Sequence, residues 1–235
     1  MQIMKEMDME HMEHPGEGVI GLTDWLRFQG HKIGRRHVRR LMRFLGLSAI
    51  YPQKSFSRLG QSSYVKPYLL RNMNIDHANQ VWSIDLTYVP MRKGFMYLTA
   101  ILDVYSRYIV GWGLHNSLDS SNCIEVLQSA VENYGSPEII NSDQGSQFTC
   151  RDWAEACRAS GITMSMDGCR RCLDNIWIER FWRTIKRNYI YLSPEENGHD
   201  LYRGIMRFMD KYNYMRPHQG IAHRTPFQVY SAEVA

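Results

Sequence analysis

Residues 82–88 read Trp82-Ser83-Ile84-Asp85-Leu86-Thr87-Tyr88, β-branched and aromatic side chains around a central carboxylate. That composition predicts a strand, and a charge inside a strand needs a partner or ligand to offset its lost hydration. Working outward, Val81 to Met91, Phe95 to Val104 and Tyr108 to His115 are strand-like runs separated by Gly or Ser turns, which suggests an antiparallel meander. Next come a helical run over 120–134, a short strand over 139–142, a helical run over 148–160 and a short strand over 162–166. This alternation adds parallel pairings to the meander. Two long helical patterns follow, roughly 174–192 and 199–213. The expected fold class is α/β, a mixed sheet flanked by helices.

Charge divides the chain unevenly. Of the 235 residues with net charge +4, the segment from Trp25 to Ile75 holds eleven Lys or Arg and no acid, whereas 76–235 has a formal charge of −2. A basic stretch joined to a near-neutral body points to a polyanion partner. Within it, Val19, Leu22, Trp25 and Leu26 recur at helical spacing up to Gly30, and Val38, Leu41, Met42 and Leu45 repeat the pattern up to Gly46. This helix-turn-helix-like segment carries Arg35, Arg36, Arg39 and Arg40 around its second apolar stripe, a layout suited to DNA phosphate contact; a plain helical hairpin with solvated arginines is the alternative. The expected organisation is a basic DNA-binding segment over 1–50, a linker over 51–75 rich in Ser, Gly, Gln and Lys, and a catalytic core with C-terminal helices over 76–235.

Composition excludes several classes. With 44% apolar residues the chain can fill the core of one α/β domain, yet no run of about 18 uncharged apolar residues could span a membrane. Lys5, Glu6, Asp8 and Glu10 stand where a secretory signal needs apolar residues, so a cytoplasmic protein is expected. Five cysteines at irregular spacing do not read as a disulfide framework. Cys169 and Cys172 form a lone C-x-x-C without the second ligand pair a zinc site requires.

Three carboxylates stand out together, although each has an ordinary reading alone. Asp85 lies mid-strand, Asp143 follows Ile139-Ile140-Asn141-Ser142 in a turn-like Asp143-Gln144-Gly145-Ser146, and Glu179 sits in the helical Asp174-Asn175-Ile176-Trp177-Ile178-Glu179-Arg180-Phe181-Trp182. Asp85 and Asp143 have 57 residues between them, and Asp143 and Glu179 have 35. This "D, D, 35, E" spacing, with its local sequences, resembles the OrfB transposases of two-frame bacterial insertion sequences, within the integrase core superfamily. Leu102-Asp103-Val104-Tyr105-Ser106-Arg107 and Tyr212-Asn213-Tyr214-Met215-Arg216-Pro217-His218-Gln219 are further similar stretches, and the likeness runs nearly end to end.

The resemblance implies an RNase H-like fold and a DNA-joining enzyme of transposition. It makes Asp85, Asp143 and Glu179 the catalytic carboxylates, holding two Mg²⁺ (or Mn²⁺) ions for in-line displacement at phosphorus. Arg183 and Lys186, at i+4 and i+7 from Glu179, become candidate DNA contacts, with pairing of Arg183 to Glu179 as the alternative. Asp103 is a fourth carboxylate, either ligand or structural strand residue, and Asp174 reads as a helix N-cap. Expected partners are DNA at the element's ends and target, an OrfA-type protein and further copies of the chain on DNA, in the bacterial nucleoid. Arg170 stands where relatives usually have glycine, so a catalytically impaired DNA-binding remnant is the second reading and a plain RNase H-like nuclease the third. Strand joining discriminates among them. Replacing Arg35, Arg36, Arg39 and Arg40 with alanine should lower the slope of log K against log salt by about 0.9 for each lost phosphate contact, without unfolding the core. An unchanged slope in DNA titrations would show that this helix does not hold DNA.

Overall fold

The computed structural model describes residues 2–49, 64–167, 175–192 and 194–234. The chain divides into two compact units, Met1–Leu59 and Gly60–Ala235.

The first unit contains α1 (Gln2–Glu13), α2 (Val19–Phe28) and α3 (Arg35–Leu45). Its core joins Met7 to Leu22, Leu26, Ile33, Val38 and Met42, the apolar positions whose spacing announces α2 and α3. Gly46, at φ +70°, ends α3: its N–H donates to Arg43 and that of Leu47 to Met42, the double closure that a left-handed residue permits. Helix α1 was not expected. It buries Met7 as its one fully buried apolar residue, and Glu6 ties it to His31 at 2.5 Å.

In the second unit a five-stranded sheet is ordered β3-β2-β1-β4-β5. Strands β1 (Val81–Pro90), β2 (Phe95–Asp103) and β3 (Ile109–His115) form the antiparallel meander. Helix α4 (Ser120–Tyr134) then leads to β4 (Ile139–Ser142), and α5 (Arg151–Ala159) to β5 (Thr163–Met166), with both β1–β4 and β4–β5 parallel. The chain ends in α6 (Ile176–Ile185), α7 (Gly198–Asp210) and α8 (Pro226–Val234).

Alternation along β1 separates two cores. Trp82 and Ile84 pack with Val126, Leu127 and Trp153 of α4 and α5, whereas Val81 and Val89 pack with Ile178, Phe181, Trp182 and Ile205 of α6 and α7. Helices thus cover both faces. Close approach of α4 depends on Gly111 and Gly113: a Cβ at Gly113 would stand 2.6 Å from Val126 Cγ2, and one at Gly111 3.0 Å from Ala130 Cβ.

Asp103 closes the β2–β3 connection. Its Oδ1 accepts from the Ser106 amide at 2.8 Å and hydroxyl at 2.5 Å, and its Oδ2 accepts from the Asn79 amide at 2.8 Å. Those bonds satisfy a fully buried carboxylate and hold the turn in which Arg107 adopts φ +66°. Asp103 is a structural residue. The stretch 64–75, read from composition as linker, lies along β5: the Leu69 amide donates to Ser165 Oγ at 3.0 Å, and Leu70 is buried. A sheet edge is thereby covered.

Helices α6 and α7 continue into π-turns, Lys186–Ile190 and Lys211–Met215. Tyr189 of the first turn lies on Gly204 of α7, where an added Cβ would overlap the phenol hydroxyl and ring. Alanine gains up to about 1 kcal/mol over glycine within a helix, but intrusion on a rigid ring costs typically about 1–3 kcal/mol. Gly204→Ala is therefore expected to lower the urea midpoint, and Tyr189→Phe in the same chain to restore part of the loss.

Candidate active site

Sheet register decides where the carboxylates fall. On the parallel pair, Val81 stands against Ile139, Trp82 against Ile140 and Ser83 against Asn141. Asp85 and Asp143 each stand two residues beyond that last rung. Side-chain alternation turns Asp85 to the sheet face that α6 covers. The helix is anchored to β1 on either side of Glu179: the Ser83 hydroxyl donates to Asn175 Oδ1, and Trp182 Nε1 donates to Asp85 Oδ2 at 2.9 Å. Glu179 precedes Trp182 by three residues, so both project from one helical face.

The three carboxyl groups have different surroundings. Asp85 is largely buried, its Oδ1 accepting from the Leu86 amide at 2.7 Å. Asp143 is exposed and accepts from the Gly145 amide at 2.9 Å, as a turn aspartate does. Asn141 and Gln144 hold its loop against Asp167, donating at 2.7 Å to the side chain and at 2.8 Å to the backbone carbonyl. Glu179 is exposed.

Burial above all pushes the Asp85 carboxyl up to about 6, and the charges of Asp143 and Glu179 push the same way, against the donated hydrogen bonds of Trp182 and Leu86. Asp85 thus registers both of the other members of the expected triad. The donor chemistry is three carboxylates without thiol or imidazole, which suits a hard divalent cation such as Mg²⁺ or Mn²⁺. Their oxygens do not all lie within 4.8 Å of one another; among the described residues that spacing is met by Glu10, Glu13 and His14 on or next to α1. Repulsion opposes closer approach of like charges, and a divalent cation would draw them in.

Of the cations expected near Glu179, Lys186 is half-buried; burial lowers its ammonium and the field of Asp85 acts the other way. Arg183 is exposed, and among the described residues no ion pair joins it to Glu179. Arg35, Arg36, Arg39 and Arg40 are exposed on α3 of the other unit. Sequence reasoning missed Trp182 as a partner of Asp85, because an indole in an apolar stripe reads as core, and missed Asn175 as the anchor to Ser83. Cys169, Arg170, Cys172 and Asp174 lie outside the described residues, and the residue at the α6 N-cap is Asn175. Burial pushes the Cys123 thiol up to about 11 and the Cys157 thiol up to about 12, leaving both neutral.

Comparison with known proteins bears on the family and the fold. Integrase core domain models match residues 76–172 and 160–226. The transposase for insertion sequence element IS904 of Lactococcus lactis is 31% identical over 94% of this chain and 90% of its own length. The chain belongs to the insertion-sequence transposases. It is a DDE polynucleotidyl transferase of transposition. The transposase for IS629 of Shigella sonnei is 26% identical over 99% of this chain and 80% of its own length. In fold, the integrase catalytic core of HTLV-2, solved with magnesium in a trimeric form, matches at TM-score 0.54 and 20% identity over 66% of this chain and 97% of its own. The expected RNase H-like sheet is therefore the one observed.

A buried charge in this transposase has a measurable cost. Relative to the usual 3.8, the Asp85 carboxyl at about 6 ionises later in the native chain than in the unfolded one. As pH rises from about 4 to 6 the native state therefore loses stability, by up to about 3 kcal/mol in full above 6. Asp85→Asn should raise the melting temperature at pH 7 in EDTA and leave it nearly unchanged at pH 4. Equal gains at both pH values in calorimetry would assign the effect to packing instead of charge.

Proposed function

We propose that Asp85, Asp143 and Glu179 are the catalytic carboxylates of this transposase and together hold two Mg²⁺ or Mn²⁺ ions, cutting the element's ends and joining them to target DNA. What carries the reading is the parallel register, which sets Asp85, mid-strand in β1, beside the end of β4 that Asp143 follows, while Trp182 and Asn175 fasten the Glu179 helix to β1. When bound, the ions activate the attacking oxygen and stabilise the leaving oxygen in an in-line displacement at phosphorus. The protein's share is orientation. Trp182 and the Leu86 amide each fix one Asp85 oxygen, the turn bond to Gly145 fixes one Asp143 oxygen, and each bonded oxygen keeps a further lone pair for a ligand.

DNA is gripped, in this reading, by Arg35, Arg36, Arg39 and Arg40 of the basic segment 1–50 and by Arg183 and Lys186 next to Glu179. The nucleophile is water for end cleavage and a DNA 3′-hydroxyl for joining. Work on two ends and a target calls for several copies on DNA, with an OrfA-type partner supplying further end recognition. No helix among the described residues is long and apolar enough to cross a membrane, which agrees with a cytoplasmic, nucleoid-bound enzyme.

The test is a strand-transfer assay on the element's own end sequence, with the OrfA-type partner added, after the unmutated chain is seen to join. Asp85→Asn, Asp143→Asn and Glu179→Gln keep side-chain size but remove a ligand charge, so each should abolish cleavage and joining while DNA binding persists. Near-normal joining by one variant would remove that residue from the set. Joining by all three would refute the mechanism.

A further inference from the structure

The two motifs outside the triad, Leu102-Asp103-Val104-Tyr105-Ser106-Arg107 and Tyr212-Asn213-Tyr214-Met215-Arg216-Pro217-His218-Gln219, are far apart in sequence and adjacent in the fold. Asn213 bonds both backbone groups of Ile109, its Oδ1 accepting from the amide at 2.9 Å and its Nδ2 donating to the carbonyl at 3.1 Å. Tyr108 and Tyr214 share a hydroxyl bond at 2.8 Å. These contacts serve packing. What they bring together is charge.

Arg107 projects from its constrained turn over the ring of Trp177 on α6, its guanidinium 5.7 Å from the ring centroid. Its Nη1 is buried and has no hydrogen-bond partner. Burial first, and then the charges of Arg107, Arg216 and Arg180, the last one residue past Glu179, hold the His218 ring below its usual value. Asp103, whose field acts on Arg107, has already committed both oxygens to the turn. Among the described residues none of the three arginines joins an ion pair. Arg216 also lines a groove with Arg207, Lys211 and the faces of Phe208 and Tyr212, so the positive surface continues away from the cluster.

Like charges gathered around a half-buried guanidinium, one of whose nitrogens is buried without a partner, are costly unless an anion completes the set. Guanidinium forks match phosphate oxygens bidentately. We propose that Arg107, Arg180 and Arg216, with His218, form a phosphate subsite that clamps a DNA backbone phosphate beside the Glu179 helix. This rests on the transposase reading of the active site and adds to it a fixed point for the strand, independent of base sequence. Arg107 is the pre-set donor, held by its turn and by Trp177, and Arg180 and Arg216 close from α6 and from the chain after α7.

The experiment titrates the full chain with a duplex oligonucleotide of arbitrary sequence in Ca²⁺ over a range of salt, for Arg180→Gln, Arg216→Gln and Arg216→Lys, alongside a thermal melt of each. Loss of one phosphate contact should lower the salt slope by about 0.9 in each Gln variant and weaken binding uniformly across sequences, while Arg216→Lys keeps the slope near that of the parent. Arg180 is exposed on its helix, so Arg180→Gln carries the test if Arg216→Gln fails to fold. Folded variants with an unchanged slope would overturn the subsite. So would an unchanged slope joined to a loss of self-association, which would assign the cluster to a protein carboxylate. Asp85→Asn, run in parallel, should keep the parental slope; strand joining by that variant would undercut the catalytic reading without touching the slope result.

Discussion

A carboxylate held on the central strand of a sheet, under a helix, is the constraint around which the second unit is organised. Asp85 cannot be left alone there: burial of an ionised carboxylate without partners costs far more than one hydrogen bond returns. The Trp182 indole and the Leu86 amide each supply a donor, yet burial still dominates and the carboxyl titrates high. Two donors are too few. What remains is an unmet demand for positive charge, facing a helix that carries Glu179 and, a turn and more later, Lys186.

The same strand serves both cores, which is why the site is rigid where it must be. Trp82 and Ile84 are fully buried toward α4 and α5, so β1 cannot rotate to relieve Asp85 without exposing them. A register slip of one residue would exchange the faces and carry the carboxylate into the opposite core. Asp143 lies in a turn instead, and its position depends on the Asn141–Asp167 and Gln144–Asp167 bonds beneath it. Glu179 is placed by a helix pinned at Ser83 and at Asp85. Strand, turn and helix each fix one ligand candidate by a different physical means.

Much of this was legible in the chain, and the illegible parts share a cause. The meander and the alternating strands and helices were readable because β1 to β5 follow the composition and turn signals that burial imposes. The 57- and 35-residue intervals were readable as spacing, although their meaning came from family likeness, since neither interval alone says that β4 lies parallel to β1. Helix α1 escaped notice because it buries little apolar surface and leans on ionic contacts such as Glu6 with His31. Residues 64–75 read as linker together with the Ser-, Gly- and Gln-bearing stretch before them, because their apolar side chains keep no clear period and their backbone bond to β5 leaves no side-chain pattern. The π-turns after α6 and α7 differ from α-helix by one residue per turn, below what periodicity resolves. Asp103 had to wait for its partners: a strand-end carboxylate is ligand or turn lock according to donors that come from elsewhere in the chain.

The indole bond to Asp85 has an optical side as well. Tryptophan emission shifts with the electric field across the ring, and the Trp182 N–H lies 2.9 Å from the oxygen whose charge changes when the carboxyl ionises or meets a cation. The chain has six tryptophans, and among the described residues Trp182 is the one tryptophan that hydrogen-bonds a carboxylate of the proposed triad. A cation held at Asp85, as proposed, would thus be written into the protein's own fluorescence, and its arrival could be followed in real time, label-free, before any strand is cut.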